Sequence, residues 1–277
     1  MTRLAVLSLS LLLCSGCFTR TIAKKMGISG WFRADVMPTA PDKYKERFTP
    51  ISMADVACGD LRPLRDAKSP VIVLVHGVGG DGPEMEQSLA TLMQTPPASI
   101  FMFRWVSYSS RDEIADALSK GINHLVTCLP EAEGRLLILA HSAGGVVSTF
   151  AAHELVFPPA TRKGPWATLL TVASPLAGTV ERAGNPDGRE EAVFLLDLGT
   201  RITSYPAAAP GLRVVHLRTH APADSIMKPT GGRLPNDPSV GCPGAPQLDL
   251  PEGLDHTGAM VYVAGEVAAD RWKQWCE

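Results

Sequence analysis

The chain has 277 residues, 45% hydrophobic and 19% charged, which suits one globular domain with a large core and excludes a disordered or low-complexity chain. Its net charge of −2 gives no electrostatic basis for binding nucleic acid. There is no internal repeat and no heptad run.

The first residues read as a targeting segment. Arg3 supplies positive charge, and Leu4 to Leu13 form an apolar stretch too short to span a bilayer comfortably. Cys14-Ser15-Gly16-Cys17 follows at once. This resembles a bacterial lipoprotein signal, in which small residues precede a cysteine that is lipidated and becomes the mature N-terminus. The resemblance implies a signal peptide over residues 1–16, Cys17 as the lipid acceptor, and a cell-envelope protein anchored to a membrane. Cys14 stands where leucine is usual in such signals. A cleaved secretory signal and a retained anchor are the alternatives. Residues 17–65 are polar and irregular, with Pro38, Pro41, Pro50 and Pro63, and are expected to form a tether leading into a domain over residues 66–277.

Within that domain Val71 to Val75 predict a buried strand. Glu84 to Met93 predict a helix ended by Pro96-Pro97. Ile100 to Val106 read as the next strand. Asp112 to Leu129 place Ile114, Ala115, Leu118, Ile122, Leu125, Val126 and Leu129 on one helical face, with Asp112 as a cap. A strand follows at Leu136 to Ala140, then a helix after Ser142, strands at Leu169 to Ala173 and Leu212 to Leu217, and a last helix over Met260 to Trp272. Strands alternating with helices predict an α/β fold, a mainly parallel sheet with helices on both faces. In such sheets reactive groups collect at the carboxyl ends of the strands.

Ser142 carries the most information. It follows an uninterrupted apolar run and sits in Ala140-His141-Ser142-Ala143-Gly144-Gly145, where small residues permit a sharp strand-to-helix turn. An ordinary turn capped by Ser142 is the bland alternative. A serine hydroxyl needs a base, and the base needs an orienting carboxylate. His153, His216, His220 and His256 all follow Ser142, and His256 lies in Leu254-Asp255-His256-Thr257-Gly258, a late loop that could swing over the turn. Asp224 lies in Ala223-Asp224-Ser225-Ile226-Met227-Lys228-Pro229 after the Leu212 strand, with Asp197, Asp237, Asp249 and Asp255 as rivals. His141 is expected to be a structural neighbour of the turn.

Together these segments resemble the α/β-hydrolase superfamily, in its lipase/esterase-like and PGAP1-like branch. The serine turn is similar to the nucleophile elbow G-x-S-x-G, with Ala140 in place of the first glycine. His76-Gly77-Val78-Gly79-Gly80 after the Val71 strand resembles the HG-type oxyanion loop, and Ala173-Ser174-Pro175-Leu176-Ala177-Gly178 resembles an S-P-x-x-G segment of lipase-like members. The resemblance implies a Ser142–Asp224–His256 triad, an oxyanion hole made by the amides of Val78 and Ala143, and cleavage of carboxylic esters through an acyl-enzyme. It also implies a lid over residues 179–211, where Ala192, Val193, Phe194, Leu195, Leu196, Leu198 and Ile202 form an apolar patch. That patch could equally pack on the core. An ester or lipid is the expected substrate. An acyltransferase on the same triad and a non-catalytic scaffold are the competing readings.

No cofactor motif and no metal-ligand spacing stands out, so neither a cofactor nor a metal is expected. Setting Cys14 and Cys17 aside leaves Cys58, Cys128, Cys242 and Cys276. In an oxidising compartment they could form two disulfides in three ways. The expected pairs are Cys58–Cys128 and Cys242–Cys276, and buried free thiols are the alternative.

Overall fold

The structure is a computed structural model. It describes residues 70–77, 83–92, 99–103, 105, 111–176, 206–219, 223 and 247–276, together with Cys58 and Leu61. The signal segment, most of the tether and residues 179–205 of the expected lid lie outside the described residues.

Six parallel strands form one sheet: β1 (Val71–Val75), β2 (Ser99–Phe103), β3 (Leu136–His141), β4 (Ala167–Val172), β5 (Leu212–Arg218) and β6 (Gln247–Asp249). Their spatial order is β2-β1-β3-β4-β5-β6. The chain therefore lays down β2 on one side of β1 and every later strand on the other. That reversal creates a crevice at the carboxyl ends of β1 and β3, where side-by-side loops diverge.

The uninterrupted apolar runs are explained by burial on both faces. Val71, Val73 and Val75, with Leu136 and Ile138, pack into one core cluster that also takes the stripe of helix α2 (Arg111–Cys128) and Val146 and Val147 of α3 (Ala143–Ala151). Ile72, Leu74, Leu137 and Leu139 pack into the other, against Leu89 of α1 (Pro83–Leu92) and Met260, Val263 and Val267 of α4 (His256–Ala268). Alternation along each strand thus feeds two cores rather than a core and a wet face.

Several boundaries differ from expectation, each for a local reason. β2 stops at Phe103, because the Trp105 amide is drawn out of the strand to the His76 ring. Asp112 lies inside the first turn of α2 rather than at its cap; there its charge still complements the helix dipole. β4 ends at Val172, since Ala173 adopts φ 47°. The last helix begins at His256 rather than Met260, because Asp255 caps it by accepting from the Gly258 amide at 2.6 Å. It ends at Ala268; Asp270, at φ 58°, then turns the chain into a short 3-10 helix over Arg271–Cys276 that contains Trp272. β6 was not expected; it is short and follows a Pro/Gly-rich stretch, and Arg218 of β5 holds it through an ion pair with Asp249.

Cys58 and Cys128 are joined as a disulfide that ties the tether to the end of α2. The pairing of Cys242 with Cys276 cannot be placed, since Cys242 lies outside the described residues.

Candidate active site

Two adjacent strand ends build the site. β3 delivers Ser142 directly after His141, and the Ser142 amide donates to the Val172 carbonyl at the end of β4 at 2.9 Å. The backbone at Ser142 has φ 54° and ψ −130°, a region that non-glycine residues rarely occupy and that costs on the order of 1–3 kcal/mol. Ser142 occupies the capping position of α3, yet its hydroxyl makes no capping bond. Instead the hydroxyl lies 2.8 Å from His256 Nε2. The capping alternative is therefore not what the side chain does.

Three glycines make this turn sterically feasible. A Cβ on Gly144 would stand 2.3 Å from the His76 carbonyl oxygen, because the start of α3 lies against the end of β1. On Gly145 it would stand 1.8 Å from Ser174 Oγ. On Gly77 it would stand 2.8 Å from Ser142 Cβ, so the backbone after β1 touches the serine itself. The HG segment, the serine turn and the Ser174 segment are thus packed into one another.

His76 is locked in one protonation state. Its Nδ1 lies 2.6 Å from the Gly77 carbonyl, which can only accept, so Nδ1 carries the hydrogen. Its Nε2 accepts from the Trp105 amide at 3.0 Å, while the Trp105 indole N–H donates to the His76 carbonyl at 3.0 Å. The two rings stack at 5.3 Å with an interplanar angle of 5°. With both ring nitrogens engaged, His76 holds the backbone beside Ser142 and is not a proton acceptor for it. Of the expected oxyanion donors, Ala143 is the first, fully buried residue of α3, at the end of the helix where amides point outward. Val78 lies outside the described residues.

His256 is the first residue of α4, and its position is fixed from two sides. The Asp255 carboxylate caps the helix beneath it, and His141 Nε2 lies 2.9 Å from its carbonyl oxygen. Among the described histidines after Ser142, the others serve elsewhere. His153 is exposed at the end of α3, near Glu154. His216 is buried in mid-β5, with Nδ1 2.7 Å from Thr171 Oγ1, and burial pushes its pKa down to about 4. His220 lies outside the described residues, as do Asp224, Asp197 and Asp237. Two rival carboxylates are already committed: Asp249 to Arg218 and Asp255 to the helix cap.

His141 was expected only as a structural neighbour of the turn, and its contact with His256 was not foreseen; Trp105 gave no sign in the sequence that it would bear on the site, and only folding brings each ring to a histidine. Nor did cysteine and histidine spacing suggest that His124 would stand beside Cys58 and Cys128. The donor atoms of these three residues lie within 4.8 Å of one another, but the two sulfurs are bonded to each other and so form a cross-link rather than a ligand set.

No family model matches the chain, and no curated protein matches it in sequence. Solved structures do. A lipase B of Aspergillus fumigatus aligns over 78% of this chain and 57% of its own, at 16% identity and a TM-score of 0.53. This chain therefore spans little more than half the length of that lipase. An esterase of Pyrococcus furiosus aligns over 77% of this chain and 86% of its own, at 13% identity, with a TM-score of 0.45. Identity this low speaks to the fold alone. The all-parallel sheet, its strand order and the likeness to the first of these make the architecture an α/β-hydrolase fold.

Proposed function

We propose that the protein is a serine hydrolase that cleaves carboxylic esters through an acyl-enzyme. The observation that carries this reading is Ser142 Oγ at 2.8 Å from His256 Nε2, on a strained turn at the crevice where the strand order reverses. Backbone strain of this kind persists where the surrounding packing over-determines it, and such positions cluster at active sites.

In this reading His256 takes the Ser142 proton as the oxygen attacks the ester carbonyl. The negative charge that develops on the carbonyl oxygen is met by the amides of Ala143 and Val78. His256 then gives the proton to the leaving alcohol, leaving an acyl group on Ser142. Water, deprotonated by His256, releases the acid and restores the serine. Asp224 is the proposed carboxylate partner of the His256 ring, supported by its place after β5 in the sequence. A lipid or other ester reached from the cell envelope is the proposed substrate class, with Cys17 as the lipidated anchor; the residue pattern before Cys17 is the support for that placement.

Labelling of the full chain with a fluorophosphonate probe tests the reading. We expect labelling of the wild type, and its loss in Ser142→Ala and in His256→Ala, with ester turnover down about 10⁴-fold or more in each. A folded wild type that takes no label and hydrolyses no ester would overturn it.

A further inference from the structure

We propose that His141 is a positioning residue for the reaction, a brace that holds the base His256 in line with Ser142. This rests on the function proposed above for Ser142 and His256. His141 is the last residue of β3 and is 2% exposed. Its Nε2 stands 2.9 Å from the His256 carbonyl oxygen. A carbonyl only accepts, so Nε2 carries the hydrogen and the ring is fixed in that tautomer while neutral. The His141 and His256 rings also meet, with centroids 4.8 Å apart and planes tilted by 47°.

The consequence is a closed circuit of contacts. Ser142 Oγ meets His256 Nε2; the His256 carbonyl meets His141 Nε2; and His141 is covalently joined to Ser142. Brace and nucleophile are consecutive residues on one strand end, so any shift of the strand moves both together. His256 otherwise stands at the first position of α4, where a helix starts from a loop. The hydrogen bond fixes its main chain, and the ring contact restricts rotation of its side chain. Both hold the serine–histidine distance, on which rate depends steeply.

A filler would act through volume, a brace through its donor. The variants His141→Phe, which fills the space without a donor, and His141→Gln, which keeps an N–H at similar reach, therefore separate the two. With p-nitrophenyl butyrate as substrate we expect kcat and the fluorophosphonate labelling rate of His141→Phe to fall by about 10-fold or more, with KM within about 2-fold of the wild type. We expect His141→Gln to recover to within about 3-fold of wild type, since it restores the hydrogen bond. A Phe variant as active as the wild type, or a Gln variant no better than the Phe one, would overturn the brace.

A second measurement does not depend on activity or on the variants folding. Long-range proton–nitrogen spectra of the wild-type imidazoles should show His141 as the Nε2–H tautomer; an Nδ1–H tautomer would sink the proposal. If the wild type neither labels nor turns over while His141 is Nε2–H, the proposed hydrolase function fails and the contact at His141 stands as structure only, which also overturns its role in a reaction.

Discussion

At Ser142 and around it, single atoms decide what the chain tolerates. The backbone angle of φ 54° at Ser142 survives only because Gly77, Gly144 and Gly145 leave no Cβ in the way. Gly145→Ala would drive a methyl to 1.8 Å from Ser174 Oγ. Relief requires Ser174 or α3 to shift, at a cost of about 1–3 kcal/mol for overpacking. We expect a lower urea midpoint for Gly145→Ala and a loss of fluorophosphonate labelling larger than the loss of folded protein accounts for. An unchanged midpoint would mean that Ser174 yields freely. The glycines and Ser142 were legible in the sequence because close approach and sharp turns demand small residues in a short window. The contacts of His141 with His256 and of Trp105 with His76 were not, because they join residues far apart in the chain.

Elements position the base. Asp255 stood among the rivals for the acid, although adjacent side chains rarely face each other; its carboxylate accepts from the Gly258 amide and starts α4. An acidic cap also sits well at the positive end of a helix. Asp255→Ala should therefore cost about 1 kcal/mol, the usual worth of a lost N-cap. We expect a lower thermal midpoint and weaker turnover, with Asp255→Asn or Asp255→Ser restoring most of both. A variant that loses turnover outright yet keeps full stability would instead place Asp255 in the chemistry. The start of α4 was misjudged from sequence because Thr257 and Gly258 are weak helix formers that mask the signal; the cap overrides their propensity.

At the scale of the whole molecule, burial and covalent linkage set stability. His216 is buried in β5, and its pKa is pushed down from 6.5 to about 4. The unfolded chain takes up this proton near pH 6.5, whereas the folded protein resists it until about pH 4. Stability is thus full above about 6.5 and falls as pH drops through that window, by up to about 3 kcal/mol. Urea unfolding across pH 4 to 7 should show this slope, and His216→Gln should flatten it. The Cys58–Cys128 disulfide closes a separation of 70 residues, which in the chain-entropy account is worth up to about 4 kcal/mol. Reduction should lower the denaturant midpoint accordingly; an unchanged midpoint would show that the tether adds nothing to the domain.

The sequence by itself determined the first five strands, the two-faced burial and the residue that turns sharply after β3, because these depend on local patterns: apolar runs, periodicity and small side chains in short windows. It also supported the pairing of Cys58 with Cys128, although spacing alone left other pairings open. The sequence singled out His256 among the histidines after Ser142, but only the tertiary structure brings its ring to the serine. His216 carries the same imidazole as His256, yet it is buried within β5 with its ring at Thr171 of β4, while a helix start brings His256 to 2.8 Å. The physical reason is that a base works by distance and solvation. Both are set by where the strand order reverses and which elements pack there, and no window of neighbouring residues records that.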